Sequence, residues 1–251
     1  MSIADKLTTI AANQHRIYQA GYDKGKEEGK FVGDDYTLTA PPNTIKTYTD
    51  TRSTGFAVNA FKDFTELESV YAPHAEIIGD HAFDGCSKLT SLQLGDVIEV
   101  GDYAFNGCGI REFEAFKLVK TNWSMPGASG TCGESAFSNC VNLEKVDFHW
   151  YDNWVNINGS YINVMPSKCF SGCTNLKTFI LRQEQMVELV DATVFEGTAI
   201  ENGTGYIYVQ SKQFDVYKTF PFWSAYADKF RVLEDYTVDG TVDGELDETK
   251  I

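Results

Sequence analysis

The sequence lacks the features that point to nucleic acids or membranes as partners. Its 251 residues hold 21 Lys and Arg against 36 Asp and Glu, a formal net charge of −15. This shortage of basic residues argues against nucleic-acid binding and against docking on anionic lipid, because both need clustered Lys and Arg. No segment approaches the roughly 20 consecutive apolar residues of a membrane span, so no membrane insertion is expected. The opening MSIADKLTTIAANQHR has no basic region followed by an apolar one, so no signal peptide is expected.

Motifs of catalysis and metal binding are also missing. The four histidines, His15, His74, His81 and His149, form no HExxH, and no GxSxG turn, P-loop or GxGxxG is present. The acidic stretch DGTVDGELDE does not have the ligand spacing of an EF-hand. We therefore expect no enzymatic activity, no catalytic residues, no cofactor and no bound metal.

What the sequence does contain is an internal repeat. Related copies of AFDGCSKLTSLQL begin at Ala60, Ala82, Ala104, Ala136, Cys169 and, in degenerate form, Val194. The anchoring phenylalanines are Phe61, Phe83, Phe105, Phe137, Phe170 and Phe195. Their spacings are 22, 22, 32, 33 and 25 residues, and a 22-residue unit with an internal L-x-x-L-x-L fits the range of leucine-rich repeats.

The apolar spacing within a copy predicts the fold. Leu92 and Leu94 alternate as one face of a strand requires, with Leu89 three residues before them. Such short strands are stable only when stacked, each coil supporting its neighbours. We therefore predict a mainly β leucine-rich-repeat solenoid, with one parallel sheet and a mostly irregular, turn-based convex side, preceded by an N-terminal α-helix.

Four cysteines share one position in the repeat, three residues after the anchoring phenylalanine. They are Cys86, Cys108, Cys140 and Cys173, and Cys132 and Cys169 complete six. Equivalent positions stack in successive coils, which predicts a buried file of thiols. A zinc site is the alternative, but no CxxC pair is present. A disulfide framework is a weaker interpretation, because no signal peptide is expected.

The repeat resembles the BspA-like subclass of leucine-rich repeats, whose unit reads roughly IG-x-x-AF-x-G-C-x-x-L-x-x-L-x-L. The segment from Ile78 to Leu94 matches nearly every position, and the resemblance covers about residues 59–205. Proteins of this subclass are mostly surface adhesion and binding modules of bacteria and their phages. The resemblance therefore implies binding, and it supplies no catalytic residue. The opening of the chain is also similar to the N-termini of phage-encoded repeat proteins.

The N-terminal 33 residues form a separate predicted element. An apolar seam of a helix runs through Ile3, Leu7, Ile10, Gln14, Ile17 and Gly21. Glycine then recurs every four residues up to Gly33, which indicates either a flexible hinge or a closely packed seam. We expect Ile3, Leu7, Ile10 and Ile17 to mediate oligomerisation, with a trimer favoured, or attachment to other virion proteins.

The remaining boundaries follow from composition and from the repeat. We predict a β cap over residues 34–58, about six repeats over 59–205, a C-terminal cap over 206–233 and an acidic tail over 234–251. The two long spacings place insertions near 120–133 and 149–166, on one side of the stack and next to each other.

The insertions are rich in aromatic residues, which makes them the candidate ligand-binding site. The predicted contact residues are Trp123, Trp150, Tyr151, Trp154 and Tyr161. Aromatic residues are enriched at binding hot spots and suit sugar rings, although the same rings could simply pack the longer loops shut. The sequence thus predicts a non-enzymatic binding module of a phage virion that recognises a host-surface or mucosal ligand. The alternatives are a structural or decoration virion protein, a bacterial cell-surface adhesin and, more distantly, a glycan-degrading enzyme.

Overall fold

The chain is built mainly from short β-strands. The computed structural model describes residues 44–118, 132–150, 163–182 and 186–238, together with short strands at 31–33, 36–38, 120–121, 129–130 and 241–242. The strands are β1 (Phe31–Gly33), β2 (Tyr36–Leu38), β3 (Thr47–Thr49), β4 (Gly55–Phe56), β5 (Ser69–Ala72), β6 (Ile77–Ile78), β7 (Ser91–Leu94), β8 (Glu99–Val100), β9 (Glu112–Leu118), β10 (Lys120–Thr121), β11 (Ser129–Gly130), β12 (Lys145–Trp150), β13 (Asn163–Met165), β14 (Thr178–Leu181), β15 (Val187–Leu189), β16 (Tyr206–Val209), β17 (Phe230–Val232), β18 (Thr237–Val238) and β19 (Thr241–Val242). One α-helix, α1 (Phe214–Thr219), and 3₁₀ turns at Ser211–Gln213, Trp223–Tyr226 and Leu233–Tyr236 lie near the C-terminus.

One strand from each coil enters a first ladder. Strands β3, β5 and β7 form a three-stranded parallel sheet, and β9, β12, β14, β16 and β17 form a five-stranded parallel sheet. Successive coils pair in register, so that Lys145 lies opposite Glu112 on one side and Thr178 on the other. The predicted parallel sheet is therefore confirmed, but as two separate sheets.

The segments that return the chain to the next turn form a second ladder of strands with two or three residues, and the rest of the convex side consists of turns and irregular structure, as predicted. Strands β4, β6 and β8 pair in parallel, as do β11, β13 and β15. A glycine directly after β6 and another directly after β8 allow this pairing. A Cβ at Gly79 would lie 2.7 Å from the backbone of the preceding coil, and one at Gly101 would lie 2.4 Å from it.

The repeat anchors form a continuous stack of rings through the core. Ring centroids are 5.5 Å apart for Phe61 and Phe83, 5.3 Å for Phe83 and Phe105, 5.4 Å for Phe105 and Phe137, 5.4 Å for Phe137 and Phe170, and 5.7 Å for Phe170 and Phe195. Neighbouring rings are within 13° of parallel. The stack continues unchanged across the 32- and 33-residue spacings, so the extra residues leave the core repeat intact.

The tight turn after each anchor explains the glycine of the AFxGC motif. The second residue after the phenylalanine has a left-handed backbone, with φ of +79° at Gly85 and +78° at Gly172. Asp63 and Asn139 occupy the same position in other copies with φ near +60°, a conformation that Asx residues tolerate better than most.

The ends of the chain differ from the predicted segmentation. Residues 1–30 lie outside the described residues, and β1, placed by prediction in the helix and hinge, pairs antiparallel with β2. Within the predicted β cap, β3 and β4 continue both ladders. At the other end, Leu233 packs with Ile180 and Tyr208. Tyr236, within the predicted acidic tail, packs against this cluster, and β18 and β19 follow as an antiparallel pair.

Candidate functional site

The two insertions leave and re-enter the stack at neighbouring positions. Leu118 ends β9 and lies opposite Trp150, the last residue of β12. On the return, Ser129 of β11 lies opposite Asn163 of β13. Both loops therefore begin on one pair of adjacent strands and end on another. This is expected for insertions at the same position in neighbouring repeats.

The predicted contact residues themselves lie mostly outside the described part of the chain. Trp123, Tyr151, Trp154 and Tyr161 fall within the insertions, and for Trp150 only the backbone at the end of β12 is described. The predicted oligomerisation residues also lie outside it; they are Ile3, Leu7, Ile10 and Ile17. Their roles stay predictions.

The outer face of the first ladder, which points away from the phenylalanine stack, is covered at its C-terminal end. Ile180 and Tyr208 point to this face and are buried with Leu233, while Tyr206 and Tyr236 pack around them. The face is open at its N-terminal end, where Tyr71 on β5 is 43% exposed.

A buried ion pair marks the middle of the outer face. Asp147 on β12 is only 2% exposed, and Arg182 binds both of its carboxylate oxygens, with Nε and Nη2 each donating over 2.8 Å. The hydrogen bond to Asp147 raises the pKa of Arg182, which keeps the guanidinium charged. This geometry has a structural role, because a buried carboxylate needs a charged partner with fixed donors.

A cleft of about 780 Å³ separates β7 from β9. Within the described residues no ladder joins these two strands, although their coils touch elsewhere. Phe83 N–H donates to the Ala104 carbonyl over 2.8 Å, and Gly85 N–H donates to that of Asn106 over the same distance. The coils are therefore in contact at the turn and diverge at the strand. The cleft is lined by Pro73, Leu92, Gln93, Leu94, Gly95, Asp96, Glu112, Phe113 and Glu114.

The third copy is one residue shorter than its neighbours just before the strand that diverges. In neighbouring copies two residues lie between the cysteine and the next core residue, as between Cys86 and Leu89, but only Gly109 lies between Cys108 and Ile110. A strand shifted by one residue turns its side chains to the opposite face. Phe113 nevertheless stays in the core, and β9 pairs in register with β12. The short spacing is visible in the sequence and coincides with the cleft.

Alternate backbone groups of both strands face the cleft. Ser91 N–H donates to the Glu68 carbonyl in the ladder with β5, so the backbone groups of Leu92 and Leu94 point the other way. On the β9 side of the cleft, Lys145 N–H donates to the Arg111 carbonyl in the ladder with β12. Because backbone groups alternate in direction along a strand, those of Glu112 and Glu114 point toward β7. The cleft thus lies between two strand edges.

Side chains give the cleft an apolar floor and an acidic rim. Leu92 and Leu94 face the core but are only half-buried, whereas Val70 and Ala72, one coil earlier, are each 1% exposed. On the β9 side of the cleft, Phe113 is the buried apolar side chain. Glu112, Glu114 and Asp96 supply three carboxylates, and the described residues of the lining include no Lys or Arg. Lys145, behind β9, is 3.1 Å from Glu114.

The cysteine file is buried, as predicted. Each thiol of the repeat donates to the carbonyl of a phenylalanine in the preceding coil over 2.9–3.1 Å; these thiols are Cys86, Cys108, Cys140 and Cys173. Burial raises the pKa of the Cys108 and Cys140 thiols well above the usual value, so both stay protonated. Where the structure describes the chain, no group of three or more His, Cys, Asp or Glu could hold a metal ion, and no helix could cross a membrane.

The repeat identifies the family. The model for the BspA type leucine rich repeat region matches six copies over residues 54–149 and 112–215. The chain therefore belongs to the BspA-type leucine-rich-repeat family, which confirms the resemblance found in the sequence.

Individual relatives are distant. A leucine-rich repeat protein from Bacteroides ovatus ATCC 8483 is 18% identical, with a TM-score of 0.43 over 72% of this chain and 50% of that one. A leucine rich cell surface protein from Faecalibacterium prausnitzii A2-165 is 13% identical, with a TM-score of 0.28 over 72% of this chain and 80% of that one. The chain thus spans about half the length of the Bacteroides ovatus protein. No curated protein shows significant similarity to it.

Proposed function

We propose that this chain is a non-enzymatic binding module of a phage particle that recognises a host-surface or mucosal ligand, a glycan or a protein. The supporting observation is the pairing of the insertion bases, Leu118 with Trp150 and Ser129 with Asn163. Loops that begin and end on adjacent strands share one patch of surface, which is where repeat proteins commonly bind their partners.

The aromatic residues of the insertions supply the ligand contacts in this proposal. They are Trp123, Trp150, Tyr151, Trp154 and Tyr161. Rings with flat apolar faces and polar edges stack on sugars and form the centres of protein interfaces. A chain with a net charge of −15 recognises its ligand by stacking and hydrogen bonds rather than by attracting phosphate.

A double variant tests the patch. Trp150→Ala with Trp154→Ala should weaken binding to host cells at least tenfold, about 1.4 kcal/mol, and leave the melting temperature nearly unchanged. Tyr71→Ala, which removes an exposed aromatic ring on β5, is the matched control and should bind normally. Normal binding by the double variant would show that the patch is wrong, and its unfolding would show that the rings pack the loops shut.

In the same proposal the N-terminal helix joins the module to the virion or makes it a trimer through Ile3, Leu7, Ile10 and Ile17. Light scattering of the full chain and of a chain that begins at Asp34 tests this role. A trimer is expected for the first and a monomer for the second. Equal monomer masses would contradict oligomerisation.

The alternatives make different predictions about location and ligand. A decoration protein would be found in purified particles by mass spectrometry but would bind nothing on a glycan array or on host cells. A bacterial surface adhesin would be found on the cell envelope and not in particles. The proposed function requires presence in particles together with binding to the host surface.

A further inference from the structure

We propose that the cleft between β7 and β9 binds an extended peptide segment of a partner protein, in which apolar residues alternate with Lys or Arg. The segment adds as a β-strand between the two edges that face the cleft. This site is separate from the insertions and does not depend on the proposed function.

The backbone groups on both sides of the cleft are arranged to bind an extended chain. Leu92 and Leu94 present N–H and C=O groups from one wall, and Glu112 and Glu114 present theirs from the other. Unpaired edges of this kind template the addition of an extended chain, with main-chain hydrogen bonds supplying affinity. A glycan has no regular run of alternating donors and acceptors at the spacing of a strand, so a peptide is the better match.

The floor of the cleft selects apolar side chains at alternate positions of the peptide. Successive side chains of a strand point to opposite faces, so every second residue of an inserted segment faces the core. There it meets Leu92 and Leu94, which are half-buried, and Phe113. An apolar side chain at these positions completes the burial that Val70 and Ala72 already have one coil earlier.

The rim selects basic side chains at the intervening positions. Those residues point to the outer face, beside Gln93, Glu112 and Glu114. With Asp96, the described residues of the lining carry three carboxylates, one of which pairs with Lys145 from behind the strand, and among them there is no Lys or Arg, so a cationic partner is favoured. The four residues of β7 span about 13 Å, which sets the bound segment at four to six residues.

The direct test uses a fluorescein-labelled six-residue peptide of alternating Val and Lys, with fluorescence anisotropy as the readout. Two matched peptides carry N-methyl groups on either the Val or the Lys residues, so that charge and side chains are retained while the N–H groups toward one edge are lost. The parent peptide should bind, and each N-methylated peptide should bind at least tenfold more weakly. Equal binding of all three would overturn the proposal, because it would mean attraction by charge alone.

Charge neutralisation tests the position of the site. Glu112→Gln with Glu114→Gln should weaken binding of the Val–Lys peptide about tenfold at low salt. Glu134→Gln with Glu144→Gln removes the same charge from exposed residues outside the cleft lining and should change affinity less than twofold. Similar losses in both variants would contradict binding in the cleft.

Hydrogen exchange locates the bound peptide directly. Amides in residues 91–96 and 111–115 should gain protection when the peptide is added, and those of β14 should not change. The Trp150→Ala, Trp154→Ala variant should bind the peptide normally, so failure of the insertion patch and failure of the cleft are distinguishable. Absence of protection on either side of the cleft would overturn the proposal.

Discussion

The stack consists of two blocks that share a core but not a sheet. The N-terminal block, β3 to β8, has first-ladder strands of three or four residues, and the C-terminal block, β9 to β17, has first-ladder strands of up to seven. The N-terminal block leaves its outer face open and bears exposed ion pairs such as Lys88 with Glu66. In the C-terminal block the same face is covered by Leu233 and crossed by the buried pair of Asp147 and Arg182.

The difference shows which interactions define the repeat and which depend on the individual copy. Phenylalanine rings and cysteine thiols continue across the boundary, with Phe83 stacked on Phe105 and the Cys108 thiol donating to the Phe83 carbonyl. The first ladder, in contrast, is interrupted at this boundary, between β7 and β9. The core therefore continues where the first ladder is interrupted, at a copy that is one residue shorter than its neighbours before its strand.

The largest expected effect is on thiol labelling, which tests whether the two blocks unfold together. In the native protein Cys86, Cys108, Cys140 and Cys173 should react with iodoacetamide at least on the order of 10³-fold more slowly than in the urea-unfolded chain, and at one common rate. The reason is burial, since reaction requires the core to open. Measurement is by quenched labelling and mass spectrometry of tryptic peptides. Faster labelling of Cys86 alone would show that the N-terminal block opens independently.

Truncating the ring at the boundary should have the largest effect on stability. Phe105 is fully buried and stacks on both Phe83 and Phe137, so Phe105→Ala should cost roughly 3–5 kcal/mol in the free energy of unfolding. Urea denaturation measures it. Phe222→Ala, at a ring 44% exposed, is the control and should cost far less. A melting shift of only about a degree for Phe105→Ala would contradict the shared core.

Much of this architecture follows from the sequence, and the exceptions have physical reasons. The anchors of the stack, such as Phe61 and Phe195, could be predicted because a repeat places equal residues in equal environments. The second ladder could not be predicted, because it depends on the close approach of successive coils at Gly79 and Gly101 and not on an alternation of apolar residues.

The sequence also located the insertions but not the cleft. The long spacings between anchoring phenylalanines are easy to detect, and stacking then places both insertions side by side. The missing residue between Cys108 and Ile110 is equally visible in the sequence. It coincides with the loss of pairing between β7 and β9, but β9 still pairs with β12, so the spacing alone does not predict the cleft.

The ion pairs of the two blocks should differ in their contribution to stability. Arg182→Ala leaves the carboxylate of Asp147 buried without its charged partner and should destabilise the protein by about 3 kcal/mol. Lys88→Ala removes a partner from an exposed pair and should leave the melting temperature unchanged. Calorimetry of the two variants measures both. Equal effects would mean that the cover over the outer face of the C-terminal block does not exclude water from Asp147.

A small gain in stability is expected from restoring the missing residue. A Lys inserted between Gly109 and Ile110 gives the third copy the three-residue spacing of its neighbours and lets β9 take the register of β7. The new ladder hydrogen bonds contribute about 1 kcal/mol each, part of which is offset by moving the following strand, so a net gain of about 1 kcal/mol is expected. Hydrogen exchange is the sharper measurement, because amides in residues 91–96 should become protected without any added peptide.

The insertion should also abolish binding of the Val–Lys peptide, since the chain would then occupy its own cleft edges. Gly109→Lys without the insertion is the control. This variant adds the same side chain but does not lengthen the chain. Its Cβ would lie 2.6 Å from the Ser87 carbonyl oxygen, so the substitution should destabilise the protein. It should give no protection to amides in residues 91–96. If the insertion variant folds and those amides exchange as before, the deletion is not what separates the two blocks, and the cleft then reflects the outward course of β9 toward the first insertion.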